Sequence, residues 1–73
     1  MQTRMIRIAE VQRITGLSRT TIWRRERAGD FPRRRRLGSN SVAWVLAEVI
    51  GWCHSREVIG ADAVADELMD EAD

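Results

Sequence analysis

The sequence specifies a mainly α domain carrying one small β-hairpin, the arrangement known as a winged helix-turn-helix. Two short helical segments meet across Gly16, and the second is loaded with arginine. A run of Arg33-Arg34-Arg35-Arg36 then leads to a Gly38-Ser39-Asn40 tip between two extended segments. A third stripe of apolar residues at helical spacing begins at Leu46.

Met5-Ile6-Arg7-Ile8 reads as a short extended lead-in. The first helix is expected over residues 9–15, with Ile8, Val11 and Ile14 spaced by three. Gly16 supplies the left-handed residue that ends it, and Leu17 drops an apolar side chain into the angle between the helices. Ser18 is the natural N-cap of the second helix, because its hydroxyl accepts from the unpaired amides of the first turn. That helix is expected over 19–28, with Gly29 as its stop. Phe31-Pro32 makes the exit extended, since proline biases its predecessor away from helix. Residues 33–37 and 41–44 form the hairpin around the Gly38-Ser39-Asn40 turn, so the wing is 33–42. The third helix is expected over 46–56. Leu46, Val49, Ile50 and Cys53 form its apolar stripe, widened by Val45 and Trp52.

Composition narrows the function. Seventy-three residues permit one domain with a small core. Good caps, a second copy or a bound partner would then supply part of its stability. An apolar fraction of 44% suits a folded domain. No signal-peptide pattern opens the chain, and no stretch approaches the roughly 20 apolar residues of a membrane helix. Cys53 is the only cysteine, which excludes an internal disulfide, and with the single His54 it cannot close a zinc site. The expected location is the cytoplasm, on the nucleoid, with no membrane partner.

The net charge of +1 conceals a segregation. Residues 1–36 hold eleven arginines against Glu10, Glu26 and Asp30, a formal +8. Residues 37–73 hold Arg56 against eight acids, a formal −7. Such a split fits a polyanion-binding half and an acidic tail. All 12 basic residues are arginine, which suits bidentate contacts to phosphate and guanine but is also what a GC-rich genome produces. Their placement therefore counts for more than their identity. After Gly60 the composition changes sharply, and Val64 and Leu68 sit one turn apart among acids, as in a weak, loosely packed helix. The expected division is a DNA-binding domain over 1–57 and an acidic tail over 58–73.

Ile22 marks the buried side of the second helix. Thr20, Arg24 and Arg27 fall within about 60° of one another on the opposite side. A solvated face often carries such a stripe, but it usually alternates with acids, and this one does not. Arg24 and Arg27 suit guanine edges or phosphates, and Thr20 a phosphate or a thymine methyl. Ser18 and Arg19 sit at the positive helix end. Trp23 lies between the faces and is expected as a packer at the core edge, with base contact as the lesser reading. Glu26 falls on the inward side, as a partner for a nearby arginine. On extended backbone Arg33 and Arg35 share one side and Arg34 and Arg36 the other. One pair would reach DNA with Ser39 and Asn40, and the other would stay solvated or meet acids. An arginine-bearing wing suits a narrow minor groove.

Catalysis is not expected. Glu10, Glu26, Asp30 and Glu48 make no paired-carboxylate arrangement, His54 has no evident nucleophile or base partner, and no glycine-rich phosphate loop is present. No cofactor, metal or small-molecule substrate is expected.

Residues 7–56 resemble the AlpA-like phage and prophage regulatory proteins, within the wider MerR-like and excisionase-like winged helix-turn-helix group. The resemblance rests on Ile8-Ala9-Glu10-Val11, on Thr15-Gly16-Leu17-Ser18-Arg19-Thr20-Thr21-Ile22-Trp23 and on Ala28-Gly29-Asp30-Phe31-Pro32. Leu37-Gly38 and Trp44, followed by Glu48-Val49 and Trp52, continue it. It implies a compact helical domain with a small hairpin that binds duplex DNA as a transcriptional regulator or an excision accessory factor. The reading helix then maps onto 18–28 and the wing onto 33–42. Two departures stand out. Arg25 and Glu26 replace apolar residues usual in the middle of the second helix. Val45-Leu46-Ala47 replaces a polar start to the last helix, exposing apolar surface that self-association would cover.

The expected function is sequence-specific binding of double-stranded DNA, with helix 19–28 in the major groove and wing 33–42 on the minor groove or backbone. One unit is small, so tight binding calls for two copies or adjacent sites. An excisionase or recombination directionality factor is the nearest alternative. A protein-interaction module of antitoxin-like adaptor type differs in class and would show no salt-dependent DNA affinity. RNA binding lacks a surface array of aromatic residues. Operator sequence, activation against repression, oligomeric state and the role of the tail are not readable from the chain.

Overall fold

The computed structural model describes residues 3–59, so the expected tail helix over 61–73 lies outside the described residues. The elements are β1 (Met5–Ile6), α1 (Ile8–Thr15), α2 (Arg19–Arg27), β2 (Arg35–Gly38), β3 (Ser41–Val45) and α3 (Leu46–His54). Three helices and a small antiparallel sheet make the winged helix-turn-helix class expected from the sequence.

The lead-in is more than an extended segment. It is an edge strand, and the sheet order is β1-β3-β2. Met5 pairs with Val45 and Ile6 with Trp44. The Leu46 amide donates to the Arg4 carbonyl at 2.8 Å, which satisfies one of the free N–H groups opening α3.

The helix ends form as their residues dictate. Gly16 has φ 77° and donates its amide to the Gln12 carbonyl at 2.7 Å, closing α1 with a left-handed residue. Ser18 caps α2 by accepting from the Thr21 amide at 3.1 Å. At the other end Gly29 has φ 80°. Its amide reaches the Glu26 carbonyl at 3.1 Å while the Asp30 amide reaches the Arg25 carbonyl at 2.8 Å, the paired bonds of a Schellman stop.

Ile6, Val11, Ile22, Phe31, Trp44 and Val49 form one core, drawing on nearly every element. Ile8, Ile14, Leu17, Leu46 and Trp52 pack around it. Fully burying a branched aliphatic side chain is worth about 1.5–3 kcal/mol, so in so small a domain each of these residues matters.

Three expectations for α3 are corrected. Ile50 is 39% exposed, and the inward stripe runs through Leu46, Val49 and Trp52. Val49 is fully buried at its centre, which turns the next residue 100° around the helix and outward. The apolar start is not an exposed patch either. Val45 belongs to β3 and Leu46 packs on the core, which leaves only Ala47 outside. The helix also ends at His54, two residues earlier than expected.

Candidate nucleic-acid interface

The cap and the Schellman stop fix α2 at both ends, so its faces are set by Ile22, which is fully buried. Thr20, Trp23, Arg24 and Arg27 are exposed away from it, and Arg19 is exposed at the helix start. The only acid in α2 is Glu26, and it is 7% exposed. The outward face of this helix therefore carries no carboxylate. A cationic, acid-free helix face is what a polyanion requires. Part of the basic charge also complements the helix dipole, since Arg24, Arg25 and Arg27 occupy the last turn.

Glu26 joins α2 to β3 and to the segment that leads into β2. Its carboxylate accepts the indole N–H of Trp44 at 3.2 Å and the backbone N–H of Arg34 at 2.7 Å, and it faces the Arg34 Nε at 3.5 Å. The Arg34 guanidinium lies over the Trp23 ring, 4.6 Å from its centre. The residue that departs from the apolar pattern thus finds a polar seat in the core. It holds the exit of α2 and the root of the wing in one geometry.

Not every expected contact residue is free to meet DNA. The Ser18 hydroxyl donates to Thr21 Oγ1 at 2.9 Å besides capping the helix, so it is spent within the chain. Arg24 reaches Thr21 Oγ1 through Nη2 at 3.5 Å while its side chain stays on the exposed face. Trp23 is 45% exposed under Arg34, which replaces the expected packing at the core edge with a cation–π contact on the surface.

The wing departs from simple alternation. Strand β2 begins at Arg35, so Arg33 and Arg34 precede it and strand parity does not govern them. Arg34 is committed to Glu26 and Trp23, and Arg35 Nη2 donates to Glu48 Oε2 on α3 at 2.7 Å. Arg33 and Arg36 are exposed, and Arg36 Nη1 reaches the Ser39 carbonyl at 3.5 Å. Ser39 and Asn40 form the exposed tip. Gly38, expected in the turn, is the last residue of β2 and pairs with Ser41.

A second polar cluster braces α2 against α3. Asp30 binds Arg25 Nη1 at 2.7 Å and Arg56 Nη1 at 3.6 Å, and its carbonyl accepts the Trp52 indole N–H at 2.8 Å. Arg56 and Arg25 lie 4.3 and 5.7 Å from the centre of the Trp52 ring, and Phe31 meets its edge. Spacing along the sequence gave no sign of its distant members, Trp52 and Arg56, which the packing of α3 brings to the local Arg25–Asp30 pair.

Among the described residues no group of three His, Cys, Asp or Glu side chains is placed to hold a metal, and no helix is long and apolar enough to cross a membrane. Fold and surface together define a small winged helix-turn-helix module. The chain belongs to the AlpA family: residues 4–57 match the family described as "Prophage CP4-57 regulatory protein (AlpA)". It is 44% identical over 55 residues to the uncharacterized protein ORF88 of Enterobacteria phage P4, covering 75% of this chain and 62% of that protein. The chain thus spans less than two thirds of that relative. It is also 36% identical over 59 residues to the DNA-binding transcriptional activator AlpA of Escherichia coli K12, covering 73% of this chain and 84% of that protein.

Proposed function

We propose that this chain binds duplex DNA with sequence preference and acts as a phage- or prophage-type transcriptional regulator. The acid-free outer face of α2, with its one carboxylate turned into the core, is the observation that carries this reading. Helix α2 enters the major groove, where Arg24 and Arg27 suit guanine edges and Arg19 and Thr20 the flanking phosphates. The hairpin, tied to α2 through Glu26 and Arg34, lies on the adjacent minor groove or backbone with Arg33, Arg36, Ser39 and Asn40 foremost. Membership of the AlpA family and likeness to an activator described as DNA-binding support the same function.

The binding unit is residues 1–57, residues 58–73 form an acidic extension, and the protein works in the cytoplasm without catalysis or a cofactor. One unit covers little DNA, so two or more copies bind side by side.

Selection of bound duplexes from a random library, followed by titration at several salt concentrations, tests the proposal. The expected result is an enriched motif and a log affinity that falls with log salt by about 0.9 per neutralised phosphate. Binding with neither a motif nor a salt response overturns it.

A further inference from the structure

Leu37 is the only apolar side chain in β2, and it is 51% exposed near the wing tip. It belongs neither to the core nor to the residues packed around it. The strand register explains its setting. Arg36 pairs with Val42 and Gly38 with Ser41, so Leu37 has no partner across the ladder and sits in a β-bulge. A bulge bends its strand and re-aims the extra side chain. Here it does so on an outer strand whose four residues are all exposed, with Arg36 on one side and the Ser39-Asn40 tip on the other.

We propose that Leu37 is an apolar wedge for the minor groove. Resting on the placement of the wing proposed above, Arg36 and the tip hold the backbone while Leu37 inserts at one base step, partly unstacks it and bends the duplex. Apolar side chains flanked by arginine act on minor grooves in this way. The cost is least at pyrimidine–purine steps, which unstack easily. The wedge therefore selects a TA or CA step at a fixed distance from the bases read by α2, without any hydrogen bond to those bases.

The probe is the duplex recovered by selection, carrying 2-aminopurine at successive positions in turn, together with a donor–acceptor-labelled version that reports bending. Wild-type protein is expected to raise 2-aminopurine emission several-fold at one step beside the α2 site and to bring the duplex ends closer. Leu37→Ala at saturating protein is expected to abolish both signals and to weaken binding about tenfold, while Leu37→Met restores them. Thermal melts should superimpose, because Leu37 fills no core position. Equal emission and equal bending with Leu37→Ala would overturn the wedge and leave DNA binding standing. A wild-type protein that binds no duplex at all would overturn both.

Discussion

The carboxylate of Glu26 sits 3.2 Å from the indole nitrogen of Trp44, a contact that brings α2 and the middle strand of the sheet onto one polar pivot. The same carboxylate takes the Arg34 amide at 2.7 Å. Replacing Glu26 with alanine strands both donors in a largely buried site, and each buried unsatisfied group costs about 1–3 kcal/mol. We expect Glu26→Ala to lower the urea midpoint sharply. Glu26→Gln keeps an acceptor oxygen and should lose less. Equal loss in the two variants would show that charge, rather than hydrogen bonding, holds the pivot.

Arg24 stands on the exposed face of α2. Arg24→Ala is expected to weaken the selected site by about 1–3 kcal/mol and to relax sequence choice at one position. Titrations against the selected duplex and a scrambled one separate the roles, because equal losses on both would make Arg24 a backbone contact.

The four wing arginines should divide into two functional pairs. All four are exposed, but Arg34 and Arg35 are paired with Glu26 and Glu48, whereas Arg33 and Arg36 form no ion pair among the described residues. Replacing Arg33 and Arg36 together should reduce the salt slope by up to about two phosphates' worth, about 0.9 for each. Replacing Arg34 and Arg35 should change the slope less, with Arg34→Ala also lowering stability. Identical slopes for the two double variants would refute this division.

Gly51 lies inside α3, and a Cβ built there meets nothing within 4 Å. Glycine in a helix interior costs about 0.8–1.0 kcal/mol relative to alanine. Gly51→Ala should therefore raise the melting temperature while leaving DNA affinity unchanged. A lower affinity would mean that something bound to the protein approaches α3 closely at this point.

What the chain revealed in advance was local chemistry. Gly16, Ser18 and Gly29 punctuate the helices through their own backbone and side-chain preferences, and each behaves as its type predicts. Glu26 was legible as inward-facing because it follows Ile22 by one turn. Its second partner, Trp44, is 18 residues away and comes within reach only through the fold. Ile50 was misread because an apolar stripe one residue wider or narrower fits the same spacing, and packing alone decides which edge is covered. Alternation failed in the arginine run because Arg33 and Arg34 lie ahead of the strand, and only Arg35 and Arg36 are in regular register with β3. The outer face of α2 was the most readable part of the candidate site, since the helix holds a single acid, Glu26, and its place one turn after the buried Ile22 already turns it inward.

Among the described residues, the order β1-β3-β2 places the last strand in chain order between the other two. Until Val45 has left the ribosome, Met5 has no strand to join, and the Arg4 carbonyl still lacks the Leu46 amide. Nascent chains that stop short of this point carry the whole arginine-rich half without a sheet to anchor it. Strand β1 thus joins the sheet only through a strand far along the chain, a non-local closure that comes later than the local turns of the helices.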